Sequence, residues 1–449
     1  MGIWHQRASL ARPDGRAFIS GERCPALELQ TFEHRSPIDG RSLSQVSRCL
    51  ASDVDVAVRS ARRAFEDGRW SRQSPSARRQ VLQRFAEGVL AAREELALLE
   101  TLDMGKPIQY SLRLDVPAAA QSLAWFGECI DKQYGQIAPT SEHALALIQR
   151  EPLGVVGAIL PWNYPLVVAC LKIAPALAMG NSVVLKPSER SSHSALRLAE
   201  IGLAAGLPPG VLNVLPGFGF EAGQALALHM DVDALAFTGT LRNGRRVHEC
   251  AARSNLKRVF AQLGGKSALI VFADCADLHF AARSAATAMF FNQGASCNAP
   301  SRVLVHERIA TEFIRLLADE VAHHTPGDPL DEDCVAGAIV DEQHFRLLQD
   351  YLQLGQAEGA RLICGGRTLR HGSGGLYLEP AIFDHARSDM RIVREEIFGP
   401  MLTVQRFADE AEAIALPTTA LMACKPASGR PRWTARIAWR AVCAWGRSM

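Results

Sequence analysis

Short apolar runs alternating with amphipathic stretches predict an α/β protein with largely parallel sheets, and three observations carry that class. Val155-Val156-Gly157-Ala158-Ile159-Leu160 and Ser182-Val183-Val184-Leu185-Lys186 read as buried strands closed by Pro161 and Pro187, with helical spacing from Leu166 to Met179 between them. The alternation continues as helix 195–205, strand 211–215, helix 221–228 and strand 234–237. A second block opens near Leu263 with strand 268–272, helix 278–291 and strand 302–306. Open parallel sheets bind ligands beyond their strand carboxyl ends, so the segments after Leu160 and Lys186 are the first places to seek function.

Ahead of the first strand pair, apolar residues recur at helical spacing over Asp53–Glu66 and Ala77–Asp103, with Asp53 expected as an N-cap after Ser52. Gln133 to Arg150 alternates polar and apolar residues as a hairpin outside both blocks. The divisions expected are 1–132 with 151–262, the hairpin 133–150, a second domain 263–416 and a separate tail 417–449.

Composition narrows the function. The 449 residues are 48% hydrophobic and 21% charged, an ordinary globular mixture. A formal charge of +2 gives no electrostatic case for nucleic acid, and small-molecule chemistry is the better expectation. Eleven scattered cysteines without a Cys-x-x-Cys pair argue against a disulfide framework or a zinc ribbon, so no metal site is expected and reduced cytoplasm is the natural compartment. Residues 1–20 lack the apolar core of a signal peptide, and Pro161, Asn163, Lys172, Pro175 and Asn181 interrupt the most apolar stretch, which excludes a membrane span there.

A cysteine thiolate can add to a carbonyl carbon and create a tetrahedral oxyanion, which fixed hydrogen-bond donors stabilise. Cys297, in Phe290-Phe291-Asn292-Gln293-Gly294-Ala295-Ser296-Cys297-Asn298-Ala299, is the candidate nucleophile. Asn163, in Pro161-Trp162-Asn163-Tyr164-Pro165, offers an amide donor to such an oxyanion. Lys186 and Glu189 follow a strand end where a carboxylate can bond a ribose hydroxyl. Gly217-Phe218-Gly219-Phe220-Glu221-Ala222-Gly223 has one residue too many for the usual dinucleotide fingerprint.

Together with Phe237-Thr238-Gly239-Thr240 and Arg394-Glu395-Glu396-Ile397-Phe398-Gly399-Pro400, these segments resemble the NAD(P)-dependent aldehyde dehydrogenase superfamily from about Ala17 to Ile414. The resemblance implies a Rossmann-type NAD-binding domain, an α/β catalytic domain and a small oligomerisation hairpin that makes a homo-oligomer. It implies catalytic roles for Cys297 and Asn163, and cofactor contacts from Pro161, Trp162, Lys186, Glu189, Gly219, Gly223, Phe237, Thr238, Gly239, Thr240, Glu396 and Phe398. NAD is the expected cofactor, with NADP possible by the same pattern, and no membrane partner is expected. Glu95 to Ile108 and Leu226 to Asp233 look most like bacterial dehydrogenases of γ-glutamyl-γ-aminobutyraldehyde and 4-guanidinobutyraldehyde, which makes an ω-amino-type aldehyde of polyamine breakdown the expected substrate.

The sequence departs from the family at defined places. Gln262, in Ala261-Gln262-Leu263-Gly264-Gly265-Lys266, stands where the family carries a glutamate base, and a carboxamide cannot take a proton from water near neutral pH. Ala295 replaces a usual Gln or Glu, and Pro300 replaces a usual Gly three residues past Cys297. After Glu412 no acidic residue occurs, while Lys425, Arg430, Arg432, Arg436, Arg440 and Arg447 accumulate beside Trp433, Trp439 and Trp445. Reading the codons from Leu416 in their third-base frame permits a string like the family's own continuation, so the tail is expected to be out of frame and disordered, which argues against the family's oligomer. Two functions are therefore expected: a working aldehyde oxidoreductase, or an impaired, pseudogene-like product that at most binds dinucleotide.

Overall fold

The computed structural model describes residues 2–418 and 427–428. They form two compact units, one of residues up to Arg35, Arg41–Asp103 and Ile108–Gln262, the other of Ser36–Gly40, Met104–Pro107 and residues from Leu263 onward.

In the first unit the strands run β1 (Ala17–Ile19), β2 (Glu22–Cys24), β3 (Thr31–Arg35), β4 (Ser42–Ser47), β5 (Gln136–Ala138), β6 (Ala146–Ile148), β7 (Val155–Ile159), β8 (Ser182–Lys186), β9 (Leu212–Val214), β10 (Ala234–Gly239) and β11 (Arg258–Leu263). Seven of them make one sheet in the order β11-β10-β7-β8-β9-β1-β2. The central strands are parallel, with Ile159 opposite both Lys186 and Phe237, and β1 closes antiparallel on β9. Every residue of β7 and β8 is buried, as parallel strands with helices on both faces require. The helix Pro165–Ala178 between them is apolar nearly all round and begins with a proline, whose missing N–H costs nothing at that position. Its Leu166 N–H donates to the buried Glu100 carboxylate at 2.7 Å, a negative charge placed at a helix amino end. Asn181 shapes the turn into β8, accepting from the N–H groups of Leu153 and Gly154 at 2.7 and 3.0 Å. The predicted hairpin is present as β5 against β6 and leaves Tyr134, Ile137, Leu145 and Leu147 exposed.

Two local expectations are corrected. The first long helix starts at Ala51, and Asp53 sits in its first turn rather than at the cap. From there its carboxylate turns back to accept the N–H of Leu50 at 2.8 Å and that of Leu27 at 2.7 Å, so the acid caps the helix from inside it. The expected single helix over 77–103 is two, Pro75–Ala91 and Arg93–Met104, because the backbone leaves helical geometry at Ala92.

The second unit carries β12 (Ala268–Val271), β13 (Arg302–His306), β14 (Arg361–Cys364), β15 (Thr368–Leu369), β16 (Tyr377–Leu378), β17 (Ala381–Asp384), β18 (Met401–Phe407) and β19 (Ala427–Ser428). Its main sheet has the order β14-β17-β18-β13-β12-β19 and is parallel except for β14. Phe290, Phe313, Ile382, Leu402 and Val404 fill a core against one face. Of the tail, residues 417–418 end the helix Glu410–Thr418 and Ala427–Ser428 pair with β12; the expectation of disorder otherwise lies outside the described residues. No helix among the described residues is long and apolar enough to cross a membrane.

Asp53 is 1% exposed and satisfies two backbone donors, so Asp53→Ala leaves both without a partner. The loss should lower the unfolding free energy by about 2 kcal/mol or more, read as a shifted urea midpoint at unchanged slope. A midpoint within error of the parent would contradict this account of the helix start.

Candidate active site

The sequence-derived residues of the first unit gather along one edge of its sheet. Because Ile159 lies opposite Lys186 and Phe237, the loops after β7, β8 and β10 emerge side by side, bringing Pro161-Trp162-Asn163, Lys186 to Glu189 and Phe237 to Thr240 to a common edge. Leu160 N–H still donates to Lys186 O at 3.0 Å, so β7 and β8 part only beyond that point. The loop after β9 joins them through Leu215 N–H, which donates to Leu185 O at 2.9 Å, and delivers Gly219 and Gly223.

Asn163 is buried, and Pro161 and Trp162 are half-buried. Lys186 is 2% exposed, and its ammonium donates to Glu189 at 3.1 Å. Burial pushes the lysine down and the Glu189 charge holds it up; burial alone would raise Glu189, and Lys186 keeps it below the ordinary carboxylate range. The pair lies on the loop after β8, ahead of the helix that begins at His193. A Cβ built on Gly219 would meet nothing within 4 Å, so the backbone there faces open space at the start of a helical turn. The open backbone at Gly219 and the carboxylate of Glu189 are groups of the kinds that hold a dinucleotide's phosphate and ribose diol. Thr240 caps the helix Leu241–Ala252, accepting from Asn243 N–H at 3.3 Å. Gln262 is exposed on β11, and Thr238 Oγ1 reaches its Oε1 at 3.5 Å, the limit of a hydrogen bond.

In the second unit the candidates lie at the opposite kind of edge. Cys297 precedes β13, Glu396 and Phe398 precede β18, and Gly264-Gly265-Lys266 precede β12; these strands are parallel, so all three segments meet at amino ends. Cys297 is half-buried and forms no disulfide. Its loop is held by unusual backbone: Asn292, Gln293 and Gly294 are all left-handed, with φ of 52°, 55° and 72°. Gln293 anchors the turn by donating Nε2–H to Gly105 O at 2.7 Å and to Ala338 O at 3.2 Å. Gly294 must be glycine, since a Cβ would stand 2.3 Å from Gly399 O. Pro300 is accommodated in this loop, beyond which Ser301 N–H donates to Ala299 O at 2.8 Å.

Glu396 is half-buried rather than an exposed acidic turn. It accepts Gly265 N–H at 3.2 Å, and burial raises its carboxyl above the usual range. Phe398 has a left-handed φ of 61°, and its carbonyl is held by His344 Nε2 at 2.8 Å. Lys266 is fully buried, and its Nζ makes no hydrogen bond among the described residues. Burial and the neighbouring Arg302 charge bring it down to about 7, against the pull of Glu396 and Glu395. Sequence reasoning assigned no role to Gln293, His344 or Lys266; the only signal for Lys266 was a charged residue directly before an apolar strand.

Comparison with known proteins gives a family model, Aldehyde dehydrogenase family, that matches residues 25–419. The chain is 47% identical over 416 residues to the NADP/NAD-dependent aldehyde dehydrogenase PuuC of Escherichia coli, covering 93% of this chain and 83% of PuuC. Among solved structures it is similar to the P. syringae indole-3-acetaldehyde dehydrogenase AldA in complex with NAD+ and IAA, with a TM-score of 0.96 at 47% identity, over 98% of this chain and 89% of that one. The γ-glutamyl-γ-aminobutyraldehyde dehydrogenase of Burkholderia cenocepacia gives a TM-score of 0.96 at 45% identity, over 98% of this chain and 88% of that one.

The lowered Lys266 ammonium has a signed consequence. The unfolded chain binds that proton up to the ordinary lysine range, whereas the folded chain releases it from about 7 upward, so the cost of burial fades as pH rises. The melting temperature of the parent relative to Lys266→Met should therefore climb from about pH 7 toward 10.5, the interval between the folded and ordinary lysine values. A difference that stays flat or falls would contradict the buried, unpaired ammonium.

Proposed function

The chain belongs to the aldehyde dehydrogenase family, and from that premise we propose that it oxidises an ω-amino-type aldehyde to its carboxylic acid through the thiol of Cys297. The observation that carries this reading is the Cys297 loop, half-buried and pinned by left-handed backbone and the Gln293 anchor. A nucleophile needs such restraint to meet a carbonyl repeatedly in one geometry.

The Cys297 thiolate adds to the carbonyl carbon, forming a C–S bond and moving the π pair to oxygen. Asn163 and the Cys297 backbone N–H are assigned as donors to that oxyanion. When the C=O bond re-forms, the hydride leaves the same carbon and a thioester remains on Cys297; water then adds to that carbonyl carbon, the C–S bond breaks, and the acid and the Cys297 thiol are released. A bound NAD(P) supplies the hydride acceptor. Lys186 and Glu189 are assigned to its adenosine ribose, Gly219, Gly223, Phe237, Thr238, Gly239 and Thr240 to the pyrophosphate and nicotinamide region, Glu396 and Phe398 to the nicotinamide ribose, and Pro161 and Trp162 to the cofactor's border. Glu189 supports NAD over NADP, because its carboxylate repels a 2′-phosphate. The likeness to the B. cenocepacia enzyme supports the amino-type substrate. Exposed Ile137, Leu145 and Leu147 on the hairpin support a homo-oligomer, and the absence of a disulfide among the described cysteines suits the cytoplasm.

Gln262 favours a second reading, an impaired enzyme. Its amide can hold a water but cannot deprotonate it, so the thioester outlasts the hydride step. With NAD and γ-aminobutyraldehyde, the parent should release up to one equivalent of NADH per Cys297 in a burst and then slow, while Gln262→Glu should restore steady turnover. Steady turnover by the parent, unchanged in the variant, would remove Gln262 from the hydrolytic step; no burst in either would remove the oxidation itself.

A further inference from the structure

Away from the sheet edge described above, the first unit buries a group that the proposed reaction does not use. His34 on β3, Asp103 near the end of the helix Arg93–Met104 and His193 at the start of the helix His193–Ala204 converge, although 69 and 90 residues separate them along the chain. They are 7%, 1% and 2% exposed, and one donor atom from each lies within 4.8 Å of the others. Asp103 Oδ1 is shared, standing 2.6 Å from His193 Nδ1 and 3.2 Å from His34 Nε2. The two imidazole rings meet edge-on, with centroids 5.3 Å apart.

Three details distinguish this cluster from an ordinary buried ion pair. His34 Nε2 is buried and makes no directed hydrogen bond among the described residues, despite its closeness to the carboxylate. Asp103 Oδ2 accepts the backbone N–H of His193 at 3.1 Å, which fixes the carboxylate so that Oδ1 faces both rings. On the far side of His193, Nε2 lies 2.7 Å from Ser44 Oγ. That is the outer arrangement of a ligating histidine: one ring nitrogen aimed at the centre, the other N–H held by a neighbouring oxygen.

We propose that His34 Nε2, Asp103 Oδ1 and His193 Nδ1 form a site for a borderline divalent cation of the zinc, cobalt or nickel class. Imidazole nitrogen and carboxylate oxygen are the ligand types that suit those ions. Bonds of about 2.0–2.1 Å place tetrahedral ligands roughly 3.3 Å apart, so His193 and Asp103 separate by several tenths of an ångström and the two rings draw to a similar spacing from within 4.8 Å. To ligate through Nδ1, His193 takes the neutral tautomer whose single proton sits on Nε2, where it donates to Ser44 Oγ. His34 likewise keeps its proton on Nδ1 and offers Nε2. A water completes the coordination.

Cobalt(II) is the probe, added to the full chain after its accessible thiols have been alkylated, with binding read by visible absorption and zinc used as competitor. One equivalent should bind with the weak d–d bands of nitrogen and oxygen ligands and no thiolate charge-transfer band, and zinc should displace it and raise the melting temperature. His34→Gln and His193→Gln should each abolish both effects, their folding checked by cooperative melting without metal. Ser44→Ala should fold normally and weaken binding by about ten- to a hundredfold. An absent spectrum and no zinc-dependent melting shift in the parent would overturn the proposal, as would cobalt binding that survives both histidine substitutions.

Discussion

The register of three parallel strands is the constraint on which the first unit depends. Pairing of Ile159 with Lys186 on one side and with Phe237 on the other decides which loops emerge together. A slip of one residue would reverse every side chain between the two faces, which strands buried on both sides tolerate poorly. Asn181 and the buried Glu100 sit at the turns of this β-α-β unit and satisfy backbone donors there. The second unit obeys the same logic at its other end: parallel β12, β13 and β18 gather Lys266, Cys297 and Glu396 at amino edges.

Buried charge is the recurring expense of both edges. Lys186 meets it with a partner at 3.1 Å, and Glu396 meets it in part with the N–H of Gly265. Lys266 has no such bond, and the physical answer is a proton given up near neutrality. Close packing follows from the same crowding: a Cβ on Gly264 would stand 1.9 Å from a Glu396 oxygen, so the carboxylate lies directly on the glycine backbone. The glycines of Gly264-Gly265 are explained by what approaches them.

The fold class was legible because β7, β8 and the helix between them carry their period and their stops in local sequence. The strands named from the sequence, β7 to β10, β12 and β13, fall within two residues of their expected bounds, whereas β1, β2, β11, β14 and β17 to β19 were not named, and the hairpin at β5 and β6 was read from alternation alone. Asp53 misled because a capping acid can act from the helix's first turn as well as from its cap. The contacts that hold the Cys297 loop could not be read: Gln293 reaches Gly105 and Ala338, partners 188 and 45 residues away. His34, Asp103 and His193 are hidden for the same reason, since their spacing matches no local ligand pattern.

The account rests on Cys297 as the atom that takes the substrate. The most direct measurement is to mix the chain with NAD and γ-aminobutyraldehyde, quench in acid after the first turnover, and map peptide masses. The account predicts an acyl adduct on the peptide containing Cys297, absent when either NAD or aldehyde is left out. Release of NADH with Cys297 unmodified at every quench time, or with the acyl group on another cysteine, would contradict it.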